Sequence, residues 1–122
     1  MQRADLEDLR HRLVRLHKTL IDVAREDLER IHGRLTPHEL LHMLTTEAEL
    51  AWLRPLSAVI VRMDEWLDAA EPPAGEDDAA IAELRRLLTP DPDGDDFQRR
   101  YVVLLQRSPD VVIAHAATTR AL

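Results

Sequence analysis

Between Leu6 and Ile31 the apolar residues fall into two adjacent rows, and that arrangement leaves few folds open. Leu6, Leu9, Leu13, Leu16, Leu20 and Val23 are spaced by three and four without a break, which is the period of one α-helical face. A second row, Val14, His17, Ile21, Ala24, Leu28 and Ile31, alternates by three and four beside it. One row would serve a two-stranded coiled coil. Two rows make a face wide enough to touch two neighbours, which is what a bundle requires. With Asp5 as the expected N-cap and Gly33 as the expected left-handed C-terminal residue, the first helix spans Asp5 to His32, on the order of 40 Å.

The remaining chain repeats the pattern in shorter pieces. Thr36-Pro37-His38-Glu39 has the form of a capping box: a Thr N-cap, Pro at the first helical position and Glu three residues after the cap. The helix it opens has Leu40, Leu41 and Leu44 at its apolar centre and continues toward Trp52-Leu53, or restarts at Thr45-Thr46. Pro55 opens or kinks another helix with a stripe of Leu56, Val59, Ile60, Met63, Trp66, Leu67 and Ala70. Glu71-Pro72-Pro73-Ala74-Gly75-Glu76 is a break. Asp77 is then the expected cap of a helix with Ile81, Leu84, Leu87 and Leu88 inside. After Thr89-Pro90-Asp91-Pro92-Asp93-Gly94 comes a helix facing inward with Phe97, Tyr101, Leu104 and Leu105. Ser108-Pro109 caps the last, with Val111, Val112, His115 and Leu122 on one face. No strand pattern appears. The expectation is an all-α, compact helical bundle of five to six helices with a long N-terminal helix, residues 1–122 forming one domain.

Composition removes several function classes. There is no Cys, which excludes disulfides, thiol nucleophiles and Cys-type zinc sites and suits a reducing cytoplasm. The longest apolar runs are a few residues, so neither a membrane span nor a signal peptide is expected. The net charge of −7 is uneven: residues 1–63 are neutral, residues 64–96 carry 12 acids against 2 bases, and residues 97–122 carry 4 bases against 1 acid. With one Phe, one Tyr and two Trp, nothing favours nucleic acid as a partner. Of the 16 basic residues only Lys18 is lysine, an Arg bias that points to a GC-rich bacterial genome.

Three groups of residues invite chemistry. Thr36 to His42 contains the string His38-Glu39-Leu40-Leu41-His42, the zinc-hydrolase pattern in which two His bind metal from successive turns and Glu is the general base. Here the string begins a helix instead of lying inside one, and the capping box already explains Glu39. The alternative keeps zinc or iron on His38, His42 and His32, with Glu29 nearby. The second group comes from helical phase. Asp27 continues the leading row toward Leu28 and Ile31, where a lone carboxylate needs a partner. His17, Tyr101 and His115 are the named candidates, an Arg being left open, and together the four form an expected internal polar cluster able to hold a small ligand or tune a proton near neutral pH. The third, Asp91-Pro92-Asp93-Gly94-Asp95-Asp96, imitates a calcium loop but has Asp96 where the loop needs Gly and Val102 where it needs Glu. It is expected to be a turn whose last Asp caps the next helix.

Leu16-His17-Lys18-Thr19-Leu20-Ile21-Asp22, Ala51-Trp52-Leu53-Arg54-Pro55-Leu56-Ser57, Ile60-Val61-Arg62-Met63-Asp64-Glu65 and Ser108-Pro109-Asp110-Val111-Val112 together resemble a family of small bacterial all-helical proteins with no established activity. The resemblance implies a helical bundle and brings no catalytic residues. The family pattern is similar to Ser-Pro-Gly-Glu-Leu-Leu-Gln where this chain has Thr-Pro-His-Glu-Leu-Leu-His, which keeps the capping box and loses both histidines. The expected function is accordingly a cytoplasmic protein-interaction or regulatory module, partnered by another protein or by its own copy as a homodimer. It has no catalytic residue and no cofactor assigned. The alternatives are the His-ligated hydrolase and a small-molecule-binding bundle built on the polar cluster.

Overall fold

The double seam folds as one uninterrupted helix, α1 (Arg3–His32), roughly 45 Å long at 1.5 Å per residue. The computed structural model describes residues 2–46, 48–70 and 76–122. Among these, α1 is followed by α2 (Pro37–Thr46), a single turn α3 (Ala48–Ala51), α4 (Arg54–Asp68), α5 (Glu76–Leu88), α6 (Asp96–Arg107) and α7 (Pro109–Thr119), with no described residue in a strand. The protein is an all-α bundle led by a long helix. It has six helices of substance, and the stretch expected to run from α2 toward Trp52 carries the extra turn. The expected break at Glu71-Pro72-Pro73-Ala74-Gly75 and the side chain of Leu44 lie outside the described residues.

α1 starts at Arg3, two residues ahead of the Asp5 cap expected from the sequence. Asp5 lies in the first turn, where its Oδ2 accepts the Gln2 N–H at 3.3 Å, a position that also suits the helix dipole. Gly33 ends the helix with φ 82° and ψ −176°. Its φ is positive as expected, but its ψ is extended instead of left-handed helical, a combination open essentially to glycine.

Leu6, Leu9, Leu13, Leu16 and Leu20 of the leading row are sealed, as are Ala24 and Leu28 of the second row, while Val14 and Ile31 are exposed. Two antiparallel neighbours do the sealing. The Arg3 guanidinium bonds the Leu67 carbonyl, Arg10 bonds Asp64, and His17 Nε2 lies 2.8 Å from Ser57 Oγ, so α4 descends along α1. Arg12 Nη1 donates to the Ala117 carbonyl at 2.8 Å, and Thr118 Oγ1 reaches the Arg12 carbonyl at 3.3 Å. The opposite end of α7, at Ser108 and Asp110, lines a groove with Val23 and Glu26. α5 packs behind α4, and α6 packs on α5 and α7.

The shorter helices follow their stripes with local departures. Leu56, Val59, Met63 and Leu67 of α4 and Ile81, Leu84, Leu87 and Leu88 of α5 are buried, whereas Ala70 is exposed beyond the end of α4. α5 begins at Glu76, one residue before the Asp77 expected as its cap. Asp95, not Asp96, caps α6: its Oδ1 accepts the Gln98 N–H at 2.9 Å. Ser108 caps α7 as expected, accepting from the Val111 N–H at 3.3 Å. Val111 is buried, but Val112 is exposed and Leu122 lies past the helix end. Leu41, expected at the centre of the α2 apolar face, is 60% exposed, while its neighbour Leu40 packs at the core edge. No described helix is long and apolar enough to cross a membrane.

Candidate binding site in the trough between α1 and α6

Of the four residues of the expected polar cluster only Tyr101 and His115 meet. His17 and Asp27 are separated by ten residues of α1, roughly 15 Å of rise, and each has its own partner. His17 bonds Ser57, and Ser57 Oγ in turn donates to the Leu53 carbonyl at 3.3 Å. With the hydroxyl proton on that carbonyl, imidazole Nε2–H is the donor, the reverse of the polarity a serine nucleophile needs. Burial lowers the His17 pKa and keeps the ring neutral. Tyr101 Oη and His115 Nδ1 share a hydrogen bond of 2.6 Å. Burial pushes the Tyr101 phenol up and the His115 imidazole down, so both stay uncharged. These two pairs are neutral hydrogen bonds that satisfy polar groups inside the bundle.

Asp27 faces elsewhere. Its side chain is 32% exposed and pairs with Arg107, the last residue of α6, whose Nη2 is 2.5 Å from Oδ2. Arg30 Nη1 stands 3.4 Å from Oδ1. That oxygen is out of reach of solvent and has no hydrogen bond among the described residues. Asp27 is therefore half-buried and paired with an arginine, the partner type the sequence left open, and not with His17, Tyr101 or His115.

The Asp27–Arg107 pair spans a cleft of about 600 Å³, within the usual range of binding sites. Its apolar lining comes from Ala24 and Leu28 of α1, Trp52 before α4 and Leu104 of α6, and its basic rim from Arg99, Arg100 and Arg107 around Val103. The cleft exists because α1 outlasts its neighbours. α4 begins at Arg54, three residues before the Ser57 that meets His17, and α7 begins at Pro109, with Ser108 and Asp110 beside Val23 and Glu26. Beyond Ala24 the apolar row of α1 continues with neither helix against it. Trp52 joins this wall to the core through a row of rings, 5.5 Å to Phe97, 5.4 Å on to Tyr101 and 5.5 Å on to His115.

The rim has cationic capacity to spare. Arg100 Nε donates to Asp96 Oδ1 at 3.0 Å, and Arg99 Nη2 lies 3.8 Å from the same oxygen. Three guanidiniums thus face two carboxylates, Asp27 and Asp96, in a chain whose net charge is −7. Sequence reasoning found Asp27 and missed the arginines. Their signal was the basic excess after residue 96 and the spacing of Arg100 and Arg107, seven residues apart and within about 20° on a helix.

The His-Glu-Leu-Leu-His corner is built as a helix start. Thr36 N–H donates to Glu39 Oε1 at 3.2 Å and Glu39 N–H to Thr36 Oγ1 at 3.1 Å, the reciprocal capping box. Hydrogen bonds from the Thr36 side chain and backbone hold the Glu39 carboxyl below its usual range. Glu29 is committed as well, accepting from Arg25 Nε at 2.8 Å and from the Leu35 N–H at 3.3 Å. His32, His38 and His42 are all exposed. Among the described residues no three His, Cys, Asp or Glu side chains come together as metal ligands would. At the calcium-like turn, Asp91 Oδ1 accepts the Asp93 N–H at 2.9 Å and Asp95 Oδ2 takes Arg86 at 2.6 Å. These carboxylates hold a turn and a helix cap.

No family model, curated protein or solved structure matches this chain.

Proposed function

We propose that this protein is an interaction module that receives an amphipathic helix of a partner protein in the trough between α1 and α6. The carrying observation is that the core-facing row of α1 outruns the bundle. Asp27 and Ile31 lie seven and eleven residues after Leu20, each within about 20° of it on the helix. Leu20 is sealed, yet Ile31 is 75% exposed. Val103, across the trough on α6, is 54% exposed. The lining residues of α6 run from Asp96 to Arg107, roughly 17 Å. Two helices that bound a trough with an apolar floor and a charged rim leave room for a third rod, the helix-in-groove mode of recognition. A cytoplasmic bacterial setting and the family resemblance carry over from the sequence as part of this proposal, and self-association as a homodimer would use the same uncovered row.

The test uses Trp52 as reporter in a Trp66→Phe background. A synthetic amphipathic helix of about 18 residues with a leucine face should change Trp52 fluorescence saturably. It should shift the backbone amide resonances of Leu28, Val103 and Leu104. Val103→Asp, at an exposed position, should leave the circular dichroism unchanged and abolish binding. Absence of binding by leucine-faced helices of either polar composition, acidic or neutral, would dismiss the reading.

A further inference from the structure

The chemistry of the trough also selects its occupant. We infer that the partner helix is acidic, and that Asp27 acts as an internal competitor that holds Arg107 until a partner carboxylate engages it. This rests on the docking reading above and goes beyond it by naming what the helix must carry. Arg99, Arg100 and Arg107 flank Val103 on α6, so an apolar side chain seated on Val103 brings its helical neighbours next to guanidiniums. Among the described residues Arg100 hydrogen-bonds only through Nε, to Asp96, and Arg107 only through Nη2, to Asp27. A guanidinium has five N–H donors in a planar fork suited to carboxylates. Both retain donors for an incoming acid.

The independent observation is the state of Asp27. Its Oδ2 is paired, yet its Oδ1 is shielded from solvent with no hydrogen bond among the described residues, and Arg30 Nη1 stands 3.4 Å from it. A carboxylate kept in this half-satisfied condition is a poor final partner for Arg107. It contributes one negative charge to the site that an acidic ligand would approach. Replacing that charge by a neutral amide of the same shape raises the excess of positive charge in the trough from one to two, and an acidic helix should respond by binding more tightly. A neutral helix should not respond.

The experiment compares two synthetic amphipathic helices with the same leucine face, one flanked by glutamate and one by glutamine, by Trp52 fluorescence and calorimetry on the intact chain. The glutamate helix is expected to bind about tenfold more tightly at low ionic strength and to lose that advantage as salt is added. Arg100→Gln, a change at an exposed residue, should weaken the glutamate helix alone. Asp27→Asn should strengthen it about fivefold, with thermal unfolding of the variant confirming that the bundle is intact. Equal affinity of the two helices, indifferent to Arg100→Gln, overturns the acidic partner while leaving the docking reading in place. Failure of both to bind overturns both. Weaker binding of the glutamate helix by Asp27→Asn overturns the competitor role and makes Asp27 a support for Arg107. A dimer in sedimentation that Val103→Asp disperses would give the trough to a second copy of this chain instead of a partner helix.

Discussion

The two ends of α1 share one pattern and meet different fates. From Leu6 to Leu20 the leading row is enclosed by α4 and α7, and its leucines are essentially inaccessible. From Ala24 to Ile31 the same phase continues past the starts of α4 and α7: Ala24 and Leu28 are still buried and form the floor of a trough, but Ile31 is exposed. The contrast teaches that apolar periodicity specifies which face of a helix is sticky, not how much of that face the chain itself covers. Covering depends on where the neighbours start. The uncovered end is also where polar groups intrude: Asp27 sits on the row, bound by Arg107 across the gap.

The largest effect should come from the sealed end. Leu13 is 0% exposed, so Leu13→Ala is expected to cost about 3 kcal/mol in chemical denaturation, transfer and cavity terms together. A cost below about 1 kcal/mol would place Leu13 outside a close-packed core. At the corner that leads away from the open end, Thr36→Ala should cost about 1 kcal/mol through loss of the cap. His38→Ala should change stability by less than about 0.5 kcal/mol. Zinc retained by the purified protein and lost on His38→Ala would return the histidines to the metal alternative.

A smaller effect should appear on acidification. Burial lowers the pKa of both His17 and His115 below the ordinary 6.5, so the unfolded chain takes up protons first. Stability should be complete above about pH 6.5 and be lost as pH falls through the folded values, since depressed folded-state pKa values favour the protonated unfolded chain. His115→Asn should flatten that decline in denaturation midpoints measured from pH 7.5 to 5, and an unchanged slope would show that Tyr101–His115 does not contribute to it. The smallest effect belongs to the open end. Ile31→Ala should alter stability by less than about 0.5 kcal/mol. A cost comparable to that of Leu13→Ala would mean that something in the isolated protein covers Ile31, and the contrast between the two ends would vanish.

The secondary structure was largely legible from residues close in sequence. The capping box at Thr36 and Glu39, the Ser108 cap and the stripes of α4 and α5 all depend on interactions within a turn or two. Errors there were of one to three residues, as at Asp95 and Asp5, because neighbouring polar residues can serve the first turn equally well by position. Side chains whose fate depends on distant partners were not legible. Gln98 and Thr118 are buried polar residues that no periodicity marked. Gln98 is accepted because its amide donates to the Arg86 carbonyl at 2.9 Å, and Thr118 because its hydroxyl donates to the Ala114 carbonyl at 2.8 Å.

Helical phase put Asp27 on the apolar row of α1, and Tyr101 and His115 inside their helices, from the sequence alone, since a fixed rotation per residue carries that information. Which of them face one another was decided by tertiary structure. Asp27 meets Arg107 across 80 positions of sequence, Tyr101 meets His115, and His17 meets Ser57 instead of joining them. The trough follows the same rule. Its apolar strip is written into α1, but its existence depends on the starting points of α4 and α7 and on the approach of α6, and packing between distant segments fixes those together.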